Sequence, residues 1–321
     1  MSTAQLVPET WELTGDDAWK VLAGTGRRVL LRDAFQRLRF SDGFSHARSL
    51  AFMVALTVIQ GVIAVVGLAT AFGGGALSDM IVRAAQVAAP GPVATLLTDA
   101  VSQAQHTGSA HNYLGLVVGT VGCLISATTA MGQLERGLNR LYGVEQDRDS
   151  VHKYGLAFVL AVTGGLLITT ALLLLAFGRG VAAGIHNTAL ARFWDVLSWP
   201  IGVALMASGL ALLFRRCPRR HQPAWSWLAF GSVISLSLWA VATVGLGIFF
   251  RHSASFGQTY GPLAGMVALL LWSLLTAVSL FFGASVAAQL EAVRAHAARP
   301  QDIDKVEESE PDREPEAAGR R

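Results

Sequence analysis

Cysteine occurs only twice in this chain of 321 residues, lysine only three times, and charged side chains amount to just 15%. Cys123 falls within an apolar stretch and Cys217 within a basic one, which excludes a disulfide framework and a paired-cysteine metal motif. The shortage of lysine relative to arginine points to a GC-rich bacterial genome and carries no mechanism. Charge at 15% is well below the roughly 25% usual in soluble domains. Also missing are a phosphate-binding Gly-rich loop and a His-Glu-x-x-His helix; Gly73-Gly74-Gly75 reads as a helix terminus. The histidines are scattered. An outer site built on His106, His111, His186 and His252 is conceivable, but ligand spacing is absent, and solvated loop histidines with no metal are expected. No cofactor is expected, and no enzyme.

What the chain has instead is apolar residues in long blocks: 52% of it is hydrophobic, with the charge confined to short intervals. A spanning helix needs about 20 largely apolar residues. Six stretches qualify: 49–71, 113–131, 155–177, 194–214, 225–250 and 261–290. All six lack charge in their central turns. The second is the weakest, diluted by Thr120, Ser126, Thr128 and Thr129, hydroxyls that a span inside a bundle tolerates. Residues 1–48 lack the short apolar core and small-residue cleavage site of a signal peptide, so the first block is expected to remain as an anchor.

Orientation follows from the basic residues. With the N-terminus inside, 21 of the 25 Lys and Arg residues fall on the cytoplasmic side, and only Arg83, Arg179, Arg192 and Arg251 fall outside. The expected fold class is an all-α polytopic membrane protein, with six transmembrane helices and cytoplasmic N- and C-termini. Its divisions are a cytoplasmic segment (1–47), a six-helix membrane domain (48–292) and an acidic, Pro-containing tail (293–321) expected to be disordered. Residues 19–39 mix Val21, Leu22, Val29, Leu30, Phe35 and Leu38 with arginines. They read equally well as an interfacial amphipathic helix or as an elbow packed on the bundle. The outer loop 73–112 has helix-like runs either side of Pro90-Gly91-Pro92, and either caps the bundle or re-enters it.

Polar residues inside the apolar blocks are the candidates for function. Gln60 sits mid-span, and a buried amide is costly unless partnered. Ser232, Ser235, Ser237 and Thr243 stud the fifth block; Ser273, Thr276 and Ser279 recur every three residues on one face of the sixth. Such faces serve close helix packing or line a wet path. After the second block, Glu135 and Asn139, like Arg136 and Arg140, stand four residues apart. They suit an inner gate, a headgroup cluster or a structural ion-pair collar. The turn Arg215-Arg216-Cys217-Pro218-Arg219-Arg220 is placed to meet anionic lipid headgroups; nucleic acid is not the expected partner of a basic turn between two spans.

His46–Phe52 entering the first block, Leu138–Val144 after the second, Leu213–Pro218 with Trp225, and Tyr260–Gly265 leading through Trp272 to Phe282-Gly283-Ala284 and Gln289-Leu290-Glu291 carry a family likeness. In their order and spacing the chain resembles the YihY / virulence-factor BrkB family of bacterial integral membrane proteins, once labelled ribonuclease BN, over roughly residues 45–291. The resemblance implies the six-span fold and a location in the bacterial inner membrane. The family has no settled activity, and no acidic or histidine cluster here supports the ribonuclease label. Gln60 stands where relatives usually have Pro, and Ser285 and Ala287 where they usually have Glu and Asn, so an activity resting on those residues is expected to be altered. The function expected is that of a transporter or channel-like protein moving a small solute or lipid. Gln60, Tyr260, Ser273 and Thr276 would line a cavity, and Glu135, Arg136, Asn139 and Arg140 would close its inner end. The alternative is a non-transporting scaffold or envelope-integrity factor, acting through the cytoplasmic elbow and tail.

Overall fold

A computed structural model describes residues 3–10, 13–71, 83, 89, 91–106, 112–184, 188–253 and 263–297. They form α1 (Gly15–Thr25), α2 (Arg27–Phe40), α3 (Gly43–Ala71), α4 (Gly91–His106), α5 (Asn112–Tyr142), α6 (Ser150–Gly184), α7 (Thr188–Arg216), α8 (Trp225–His252) and α9 (Leu263–Arg294). Six of these, α3 and α5 to α9, are long and apolar enough to cross a bilayer. The protein is an all-α polytopic membrane protein with six candidate spans. The tail after Pro300 lies outside the described residues.

The second span is longer than its apolar block suggests. α5 runs on to Tyr142 because Leu134, Leu138 and Leu141, at helical spacing, extend its buried face past the last apolar turn. It stops at Gly143, whose φ of +80° suits glycine. On the other side of the same helix Leu114, Val117, Val118, Val121 and Ile125 are exposed, as a lipid-facing surface would be.

Helices pack in neighbouring pairs around α9. The α3–α5 seam is the closest: Gly119 lies on the backbone of Ala64 and Gly67 on that of Leu116, so a Cβ at either would meet main chain. α6 packs on α7, and α8 on α9. α9 also meets α2, α3, α4, α5 and α1. Its last turns are enclosed all round, with every residue from Gly283 to Ala292 buried.

The elbow supplies much of that enclosure. Leu30, Ala34 and Leu38 of α2 join Phe214, Trp227 and Phe281 in one core, and Ser285 donates to the Ala34 carbonyl at 2.5 Å. The elbow thus packs on the bundle, yet its outer side exposes Val29, Leu31 and Phe35 beside Arg27, Arg28 and Arg32. At the opposite end α4 caps the bundle, setting Val93 and Leu97 against Ala55, Leu246, Phe250 and Leu269. Arginines 37, 136, 140, 148, 215, 216, 219 and 220, with Lys153, gather at one end of the bundle, called the basic end below.

Candidate functional site

Two buried carboxylates and one half-buried one organise the basic end. Asp147, in the seven-residue link between α5 and α6, is the most connected. Its carboxylate accepts from Lys153 Nζ at 2.8 Å, Asn139 Nδ2 at 3.0 Å and Arg136 Nε at 3.4 Å, and its carbonyl accepts from Arg219 Nη1 at 2.9 Å. Burial pushes its pKa up, but the hydrogen bonds from Lys153 and Asn139 outweigh that and hold it below the usual carboxylate value. Asn139, fully buried, spans the gap to the α7–α8 turn by accepting from the Arg219 amide at 2.8 Å. One turn earlier on α5, Glu135 faces Arg148 at 3.1 Å. Among the described residues no N–H is aimed at that oxygen, so the pairing with Arg148 is electrostatic. Arg148 meanwhile donates to the carbonyls of Cys217 and Pro218 at 2.5 and 2.8 Å, closing the end of α7.

Glu291 is the second centre. It ends α9 with no solvent exposure and accepts from Arg220 Nη2 and Thr10 Oγ1, each at 2.6 Å. The Arg220 guanidinium stacks on the Tyr142 ring at 4.6 Å and donates to the Pro8 carbonyl at 3.1 Å. Arg37, wholly buried on α2, donates to Gln289 Oε1 at 2.9 Å and to the carbonyls of Leu141 and Gln5 at 3.1 Å. Desolvation pulls its pKa down to about 10, still leaving it charged at neutral pH. Residues 3–10 run beside the end of α5, with Ala4 and Val7 amides donating to Arg140 and Tyr142 carbonyls. The layer therefore ties the N-terminal segment, α2, α5, the α7–α8 turn and α9 together.

The expected inner cluster lies inside this layer: Glu135, Arg136 and Asn139 bond as described, and Arg140 donates to the Glu145 carbonyl at 2.9 Å. Gln60 lies in the α3–α5 seam over Gly122, where a Cβ would come 2.7 Å from its Oε1. That Oε1 and the Oγ of fully buried Ser273 have no hydrogen-bond partner among the described residues. Thr276 donates to its own helix, to the Trp272 carbonyl at 2.8 Å. Neither the pocket between α4 and α8 nor the one at the α7–α8 turn is lined by any of the three. Tyr260, His111 and His186 lie outside the described residues, as does the side chain of His106; His252 is exposed at the end of α8.

Sequence reasoning gave no site role to Arg37, Asp147, Lys153 or Gln289, and did not join Arg220 to Glu291. Arg37 left a signal: it falls on the apolar stripe Leu30, Ala34, Leu38 rather than on the arginine-rich face. Glu291 had another, as the one acidic residue in the turns that directly follow the last apolar block. Asp147 had none, because only the fold brings a link residue to both α5 and α6.

Residues 34–308 match the family described as virulence factor BrkB. A ribonuclease-like protein of Bacillus subtilis, YfkH, is 23% identical over 266 residues, covering 81% of this chain and 94% of that protein. A UPF0761 membrane protein of Alteromonas mediterranea is 25% identical over 175 residues, 54% of this chain and 58% of its own length. One from Xanthomonas oryzae pv. oryzae is 23% identical over 295 residues, 86% and 64% respectively. The chain thus spans less than two thirds of the length of both UPF0761 proteins. No solved structure matches the chain.

Two outcomes are expected. Arg220→Ala strands the Glu291 charge and costs about 3–5 kcal/mol in unfolding from detergent, whereas Arg220→Met with Glu291→Leu recovers most of it; equal losses would contradict the buried pair. Asp147, with its lowered pKa, stabilises above the unfolded carboxylate value of about 4, and the benefit fades as pH falls through its folded value. Thermal unfolding against pH is therefore expected to separate wild type from Asp147→Asn at neutral pH and to bring the two together in acid; a constant gap would contradict the pairing.

Proposed function

The chain belongs to the virulence factor BrkB family, and we propose that it is a transporter or channel-like protein of the bacterial cytoplasmic membrane, moving a small solute or lipid. In this reading the basic end faces the cytoplasm, in keeping with the positive-inside rule. The observation that carries the proposal is the charged layer closing that end. Glu291 is buried at the margin of a span against Arg220, and Glu135 against Arg148. A packed apolar plug of the same volume would be as stable or more so. Ionisable groups at membrane depth are costly and mark pathways or switches. Here their partners come from separate elements, so exchanging or hydrating a few pairs would part the N-terminal segment and the α7–α8 turn from α5 and α9. Gln60 Oε1 and Ser273 Oγ, unpartnered within the described part of the bundle, would then belong to the path that such an opening reaches. Tyr260 and Thr276 are assigned to the same path. Neither catalysis nor a cofactor is part of the proposal.

The scaffold reading draws on a different observation, the exposed Trp19, Val29, Leu31 and Phe35 of the elbow. Thiol accessibility separates the two. In full-length protein with Cys123→Ser and Cys217→Ala, Ser273→Cys and Thr276→Cys are expected to react slowly with an impermeant maleimide applied to the basic end. Adding Asp147→Asn or Glu291→Gln, each weakening the layer by about 1.4 kcal/mol or more, is expected to raise the rate roughly tenfold. Folded protein with unchanged protection in every background would remove the transport reading and leave the scaffold.

A further inference from the structure

The α7–α8 turn shapes a pocket of about 470 Å³ whose polar lining is Arg148, Arg215, Arg216, Arg220, His221 and Gln222. Four arginines around one pocket need anions, and the described residues supply them to two. Arg148 and Arg220 form the neutralised part, held by Glu135 and Glu291. His221 Nδ1 meets Glu9 at 3.2 Å at the rim. Arg215 has a cation–π contact, its guanidinium 4.9 Å from the centre of the Trp225 ring, and no carboxylate partner among the described residues. Arg216 is exposed and likewise has none. Two of the pocket's four guanidiniums are therefore left without a carboxylate among the described residues. Pro218 and Pro223 restrict the turn that presents them.

Depth identifies the class of ligand. Arg216 is the last residue of α7 and Trp225 the first of α8, so the two uncompensated guanidiniums sit where spans leave the hydrocarbon. Trp225 is half-exposed there, and tryptophan at such a position marks the headgroup level. Guanidinium forks match phosphate oxygens in charge and geometry. We propose that this pocket binds the phosphate of an anionic ligand at the membrane surface, a phospholipid headgroup or free phosphate. Arg215 and Arg216 bind it, while Arg148 and Arg220, held by their carboxylates, shape and charge the floor. The site does not depend on whether the protein transports.

Native mass spectrometry of the full chain, released from nanodiscs of mixed phosphatidylglycerol and phosphatidylcholine, tests this. Wild type is expected to retain phosphatidylglycerol in preference to phosphatidylcholine. Arg215→Gln with Arg216→Gln is expected to retain roughly thirtyfold less, from about one surface-basic-residue contribution for each arginine. Arg28→Gln with Arg32→Gln, an equal loss of charge on the exposed side of α2, is expected to retain as much as wild type. If the double variant at the turn is not recovered folded, the exposed single change Arg216→Glu is expected to show the loss. Displacement of the lipid by inorganic phosphate would identify free phosphate as a ligand too, and resistance to it would identify the headgroup; both support the site. Equal retention of the two lipids, or equal losses at α2 and at the turn, would overturn it.

Discussion

Glu291 closes a 32-residue apolar helix and reaches no solvent. An ionised carboxylate in that position is tenable only with a positive charge and donors brought to it, and the basic end is arranged to bring them. Arg220 arrives from the α7–α8 turn, itself fixed by the bond from its Arg219 amide to Asn139. Thr10 arrives from the N-terminal segment. That segment lies along α5, whose last carbonyls it meets, and Arg37 joins both to Gln289 one residue pair earlier on α9. Removing a single donor leaves the others in place but the charge uncovered, which is the costlier way to break such a pair.

The Asp147 group does on the α5–α6 side what Glu291 does around α9. The two are linked through adjacent arginines, Arg219 bonding Asp147 and Arg220 bonding Glu291. A shift of the turn between α7 and α8 therefore moves both. Its adjacent residues thus meet the Asp147 carbonyl and the Glu291 carboxylate, and the two arginines left without a carboxylate among the described residues, Arg215 and Arg216, stand just before it at the end of α7. Ligand at the membrane surface and closure of the bundle thus share one short segment of chain.

Much of the architecture was readable in the sequence, for a plain physical reason. Lipid requires every backbone polar group to be satisfied within its own helix, so spans announce themselves as uncharged apolar blocks. The matching of Glu135 with Asn139 and of Arg136 with Arg140 on successive turns was also readable, since helical spacing alone puts them on neighbouring faces. Their partners were not. Asp147 and Arg148 lie in a link whose path depends on tertiary contacts, and periodicity says nothing about links. Arg37 was hidden among arginines of similar spacing, most of which face outward. Gln60 stood out as a polar residue in an apolar block, but its place over Gly122 follows from how closely α3 and α5 approach, which only the glycine seam decides. The continuation of α5 beyond its apolar block was legible too, since residues 132–145 read as the end of the second helix, and the helix runs to Tyr142.

The central claim is that buried carboxylates hold the N-terminal segment, α2 and the α7–α8 turn onto the bundle as one unit. Hydrogen–deuterium exchange of Glu291→Gln against wild type in nanodiscs tests it most directly. The account predicts that residues 3–10, α2, the 217–224 turn and the last turns of α9 lose protection together, while α3, α6 and the middle of α8 keep theirs. Loss confined to α9, or spread evenly over all six spans, would contradict it.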